Sequence, residues 1–203
     1  MKSAVRRLAA VPVGILLLAS LAEPAGASGS TAILTPPGAG SPVLERMRHD
    51  VAAATGAADV PCWHDLTIKS IANGRYVSAE IGWDGGDYGA LRARAATPGK
   101  WEKFIVCRDA ATGVTRIRAQ ANNDFVSAEL DYDGARYGML RAQADKVGGW
   151  ERYYSNSAPG GQFSFYTRDT KRWVAAETTF TGRLYGVLRA RATSVSAQET
   201  FAW

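Results

Sequence analysis

The chain has 203 residues, 21% of them charged, with 24 Lys and Arg against 19 Asp and Glu for a formal net charge of +5. No run of basic residues stands out and the arginines recur at regular intervals, so the clustered basic footprint of a nucleic-acid-binding face is missing and nucleic acid is not an expected partner. Two histidines and two cysteines leave little material for metal or nucleophile chemistry, and no cofactor or metal is expected.

Lys2, Arg6 and Arg7 precede the apolar run Leu8 to Leu21, which is followed by the small residues Ala25-Gly26-Ala27. This is the layout of a secretory signal peptide, and residues 1–27 are expected to be removed. The run holds Pro12 and Gly14 and is shorter than the ~20 residues a membrane span needs. Cleavage would take 24 basic and 19 acidic side chains to 21 and 18, a mild balance of +3. With no cysteine before Cys62 to carry a lipid and no apolar tail before Trp203, the mature protein is expected to be extracellular, off the membrane and monomeric.

Residues 28–61 read as a linker, with "LTPPGAGSP" at 34–42. A short helix over 42–54 is expected inside it, because Ser41 can cap and Pro42 suits the first helical position. The apolar residues Val43, Leu44, Met47 and Val51 follow helical spacing.

From residue 62 to 203 the chain repeats itself. Glu80, Glu129 and Glu177 are 49 and 48 residues apart, and the same intervals relate Ile68, Ile117 and Phe165; Val77, Val126 and Val174; Leu91, Leu140 and Leu188; and Phe104, Tyr153 and Phe201. The copies span about 64–112, 113–160 and 161–203, and agreement over whole copies is the signature of a repeat architecture. Inside each copy the apolar period is two, as in "YVSAE" and "LRARA", which predicts strands. Gly85, Gly134 and Gly182 lie between these strands and make each pair a hairpin. Flanking strands around Leu66 to Ser70 and Glu102 to Arg108 bring the expectation to four strands per copy.

Three such units are too few for a typical propeller. They match an all-β fold, the β-trefoil, whose outer strands close a six-stranded barrel and whose middle hairpins cap one end. No copy can bury enough surface alone, so the conserved apolar sets above are the expected shared core. Cys62 and Cys107 flank the first copy, and in an exported chain they are expected to form one disulfide.

The words "NGRYVSAE", "LRARA" and "GKWEKF" resemble the repeats of the fascin-like β-trefoil domains, the actin-crosslinking fold family. The likeness covers residues 64–203 and is fullest in the first copy, with Asn73-Gly74-Arg75-Tyr76 and Trp101-Glu102-Lys103-Phe104. The second keeps Trp150-Glu151-Arg152-Tyr153, and the third has Gln198 where Trp would stand. The resemblance implies the trefoil fold; the tandem trefoils with which animal fascins bundle actin are not matched by one exported trefoil. The Q-x-W word of ricin-type trefoils is missing.

Glu80 and Arg92, Glu129 and Arg141, and Glu177 and Arg189 are each twelve residues apart across a hairpin, so they are expected to act as structural cross-strand pairs rather than as catalytic acids. No Ser/His/Asp set or metal spacing accompanies them, and no catalytic residue is assigned. The hairpin tips vary while keeping an aromatic: Trp83, Tyr132 and Phe180, with Asp84, Asp87 and Asp133 beside them. An aromatic face beside a carboxylate suits a sugar, which makes these six the candidate ligand-binding residues. The competing reading has the rings folded down on the barrel end. The expected function is a secreted, non-catalytic module that recognises an extracellular polysaccharide or glycan. The alternative is a protein-interaction module, actin-binding-like or inhibiting a hydrolase, for which "NSAPGGQ" at 156–162 is the candidate loop.

Overall fold

In the computed structural model of the protein, residues 60–203 are described. The expected signal peptide over 1–27 and helix over 42–54 lie outside them. The described residues are all β, with short 3₁₀ turns between thirteen strands: β1 (Cys62–Leu66), β2 (Lys69–Ser70), β3 (Tyr76–Glu80), β4 (Ala90–Ala95), β5 (Phe104–Arg108), β6 (Thr115–Ala119), β7 (Phe125–Glu129), β8 (Met139–Ala144), β9 (Tyr153–Ala158), β10 (Gln162–Thr167), β11 (Trp173–Ala176), β12 (Leu188–Ala192) and β13 (Phe201–Ala202).

The strand pairings close a barrel. β1 pairs with β5, β5 with β6, β6 with β9, β9 with β10, β10 with β13, and β13 with β2, the chain continuation of β1. The opening strand is therefore split, unlike the single strand expected over Leu66 to Ser70. Asp65 takes a left-handed φ of 58° and the β1–β5 register slips between Trp63 and Leu66, so β1 ends and its continuation takes new partners. Cys62 and Cys107 stand opposite each other in this first pairing and are joined by a disulfide, with Cα atoms 4.0 Å apart.

Hairpins β3–β4, β7–β8 and β11–β12 gather at one end. Ala90 of β4 pairs with Arg141 of β8, Met139 of β8 with Arg189 of β12, and Val187 bridges back to Arg92 of β4. Those three contacts superpose under the 49- and 48-residue shifts, so the hairpins form a closed ring of their own. The core inside the barrel holds every apolar set read from the repeat, each at 2% exposure or less. Tyr153 stands where the other copies have Phe, and its buried hydroxyl donates to Val126 O at 3.1 Å, which removes the cost of an unpaired polar group. The segment 156–162 that could have formed a protruding loop lies in the paired strands β9 and β10 except for their tight connection, Pro159–Gly161.

Candidate functional site

At the hairpin end the three tip aromatics pack downward. Trp83, Tyr132 and Phe180 are half-buried against a second small apolar cluster of Ala90, Met139 and Val187. An arginine guanidinium lies over each ring, Arg92 at 5.0 Å from Trp83, Arg141 at 5.7 Å from Tyr132 and Arg189 at 5.6 Å from Phe180. Arg183 approaches the Trp83 ring as well, at 4.2 Å. A guanidinium over a ring face is attracted by the ring quadrupole, and it occupies the surface a sugar would use.

The same arginines bind around the ring of hairpins. Arg92 Nε donates to Tyr185 O at 2.9 Å, Arg141 Nε to Tyr88 O at 2.8 Å and Arg189 Nε to Tyr137 O at 2.8 Å. Their terminal nitrogens reach Gly182 O, Gly85 O and Gly134 O in the 3₁₀ turns of the same neighbours. Each copy thus holds the turn of the one before it, and the first holds that of the third. The paired glutamates are close, at 3.5 Å for Glu80 to Arg92, 3.8 Å for Glu129 to Arg141 and 3.6 Å for Glu177 to Arg189. The stronger bonds of two of these acids go to residues that sequence spacing passed over. Glu80 accepts two hydrogen bonds from Arg94, and Glu177 two from Arg191, whereas Glu129 accepts from the neutral Gln143 at 3.0 Å. The signal was the second arginine of "LRARA", which becomes glutamine in "LRAQA".

Of the three tip acids, Asp87 is nearly buried and bidentate to Arg136, at 2.8 and 3.1 Å, with Arg183 3.8 Å away. The hydrogen bonds from Arg136 lower its pKa, and the carboxylate is spent on joining the copies rather than free for hydroxyls. Asp84 and Asp133 are exposed ahead of their turns and make no capping bond. Among the described residues no three His, Cys, Asp or Glu side chains come together as metal ligands would.

At the hairpin end Tyr185 is 36% exposed, and further open aromatic surface lies away from it. Trp101 is 40% exposed and Trp150 37%, each in the short turn before the last strand of its copy. Their neighbours Glu102 and Glu151 point inward, accepting from the backbone N–H of Gly99 and of Gly148, both at 2.6 Å; Glu102 also accepts from Ser78 Oγ at 2.5 Å. In the W-E word the acid closes the turn, and that forces the indole out. Lys100 Nζ lies 5.6 Å from the Trp101 ring.

The sequence matches no family profile and no curated protein. Solved structures do match in shape. The designed threefold-symmetric protein ThreeFoil aligns over 67% of this chain and 94% of its own length, with 12% identity and a TM-score of 0.55. The fold is trefoil-like. The Rhizoctonia solani agglutinin aligns over 73% of this chain and 99% of its own, at 11% identity and a TM-score of 0.52. An exo-β-1,3-galactanase of Clostridium thermocellum aligns over 71% of this chain at 11% identity and a TM-score of 0.58, but over only 30% of its own length.

Proposed function

We propose that the protein is a secreted, non-catalytic carbohydrate-binding module of fascin-like type, stacking sugar rings on Trp101 and Trp150. The observation that carries this is the exposure of those two indoles beside turns closed by Glu102 and Glu151, set against tip rings half-buried on the small apolar cluster. An indole face offers a large apolar contact to the C–H surface of a pyranose, and with two χ angles it has little rotamer freedom to lose. Two such rings on one chain would add avidity on a polymer, and Gln198 in the third copy leaves that position without one. The trefoil-like neighbours support the reading: one is an agglutinin, and in the galactanase the match takes in a part of the enzyme the size of a module. The words "NGRYVSAE" and "GKWEKF" support the fascin-like type.

The test is binding of the chain to a panel of glycans and insoluble polysaccharides. Trp101→Ala and Trp150→Ala are expected to weaken binding about tenfold or more each, with the fold unchanged by circular dichroism. Binding that survives the double variant and disappears in a folded Trp83→Ala protein returns the site to the hairpin end, with Trp83, Asp84, Tyr132, Asp133 and Phe180. No binding across the panel overturns the function itself.

A further inference from the structure

A cleft of about 540 Å³ opens on the outer wall of the barrel, away from the hairpin ring, within the ~300–1,000 Å³ range of small-ligand sites. Asp109, Arg116, Arg152, Tyr154 and Arg168 line it. Strand register explains why they meet. Arg108 pairs with Thr115, Thr115 with Tyr153, and Tyr153 with Thr167, so one row crosses β5, β6, β9 and β10. Arg116, Arg152, Tyr154 and Arg168 each sit one residue from that row, and Arg108 is in it. The next backbone step is bonded too, Arg168 N donating to Arg152 O at 2.9 Å.

The charges do not balance. Asp109 accepts from the N–H groups of Ala111 at 2.9 Å and Thr112 at 3.0 Å, and it is engaged in closing its own turn. Arg168 shares Asp169 at 2.8 Å. Among the described residues no carboxylate lies within ion-pair distance of Arg108, Arg116 or Arg152. Nε and Nη1 of Arg108 and Nε of Arg116 are buried with no hydrogen-bond partner among those residues. Arg108 is not one of the lining residues, but its Nη2 and the ring of Tyr154 both stand within 4 Å of where a Cβ on Gly113 would be. Desolvated guanidinium without a partner is costly, and a concave wall around it focuses positive potential outward.

Aromatic surface continues from the cleft. Tyr154, Tyr166 and Trp173 lie on the outward positions of β9, β10 and β11, half-buried, with ring centroids 5.6 and 4.7 Å apart in succession. The repeat supplies none of this. At the positions of Arg116, Arg152 and Tyr154 the first copy has Thr67, Lys103 and Ile105 and the third Ser164, Thr200 and Ala202, while Gln120 of the second copy stands where the third has Arg168. Frame residues recur in all copies; this constellation is assembled once, from residues of all three.

We propose that this cleft recognises the carboxylate or sulfate substituent of an acidic glycan, the guanidiniums forking the anion while Tyr154 and the rings beyond it take the sugar. It rests on the carbohydrate reading above for its ligand class and adds the charge of the ligand. Arginine suits both tasks, since its planar fork matches an oxyanion and its donors are fixed in geometry.

The experiment compares binding of the full chain to polygalacturonate and dextran sulfate with binding to neutral galactan and cellulose, and to single-stranded DNA, at low and raised salt. The expected result is preference for the acidic polysaccharides, weakened by salt and reduced about tenfold or more in Arg152→Gln/Arg168→Gln, with neutral-glycan binding and melting temperature unchanged. A neutral-only profile, acidic binding untouched in the double variant, or equal binding of DNA overturns the cleft proposal. Acidic binding lost in the arginine variant but retained in Trp101→Ala/Trp150→Ala supports the cleft and removes the exposed tryptophans from the function.

Discussion

The three repeated glutamates show how one residue can hold the same place with different electrostatics. Glu80 and Glu177 each meet two guanidiniums, whereas Glu129 meets Arg141 at 3.8 Å and the neutral Gln143. Burial accordingly raises the pKa of Glu129, with Arg141 and Gln143 opposing it only in part. An acid whose folded pKa lies above its unfolded one weakens the fold as the proton leaves, so Glu129 costs stability at neutral pH and is relieved as pH falls through its folded pKa. Glu80→Gln should destabilise by about 1–2 kcal/mol, a charge-assisted bond discounted for the partly exposed Arg94. Glu129→Gln should cost far less, and its stability relative to the parent should improve between pH 4 and 7 in urea titrations. Asp87 has the opposite sign: its lowered pKa gives stability above the ordinary carboxylate range that disappears on acidification. The glutamate–arginine closeness was legible from the twelve-residue spacing. The dominant partner was not, because it depends on which pleat faces the buried acid.

At the scale of turns and strands, periodicity found the hairpins and the repeated apolar sets found the core. It could not find the split of β1 from β2, which follows from one left-handed residue, Asp65, with nothing in the repeat to announce it. The W-E word was legible as frame, but its tryptophans were counted with it, since sequence does not say that the acid's inward bonds turn the indole outward. The turn before β3, β7 and β11 has a further lesson. Gly74, Asn123 and Lys171 occupy equivalent positions with φ of 66°, 66° and 54°. Glycine tolerates that conformation, asparagine accepts it, and lysine carries a Cβ penalty. Lys171→Gly is expected to raise stability by about 0.5–1 kcal/mol in thermal or chemical unfolding. The disulfide spans 45 residues, for which chain entropy gives about 4 kcal/mol; Cys62→Ser/Cys107→Ser should lower unfolding stability by about 2–4 kcal/mol.

For the whole molecule, closure of the hairpin ring is the stringent condition. Gly89, Gly138 and Gly186 adopt φ of 71–74°, and a Cβ on each would stand 2.4, 2.6 and 2.5 Å from the carbonyl oxygens of Ala142, Ala190 and Ala93. Those approaches carry the bonds that join the copies, from Ala142 N to Gly89 O, Ala190 N to Gly138 O and Ala93 N to Gly186 O. Gly138→Ala should therefore cost roughly 2–4 kcal/mol, combining strained φ with a backbone clash. Gly134→Ala, where the added carbon meets open space, should cost about 1 kcal/mol. Equilibrium urea unfolding of both variants separates these values. Hairpin glycines were legible in the sequence at Gly85, Gly134 and Gly182, and only the closed ring shows that Gly89, Gly138 and Gly186 are joints.

The arginine bonds around that joint run one way. The first copy gives to the third, the third to the second and the second to the first. In this relay each donor finds a turn and each turn a donor, so the circuit has no free end. The three copies are therefore joined not only by the chain but by a closed ring of guanidiniums, which leaves the outer wall free to differ from copy to copy.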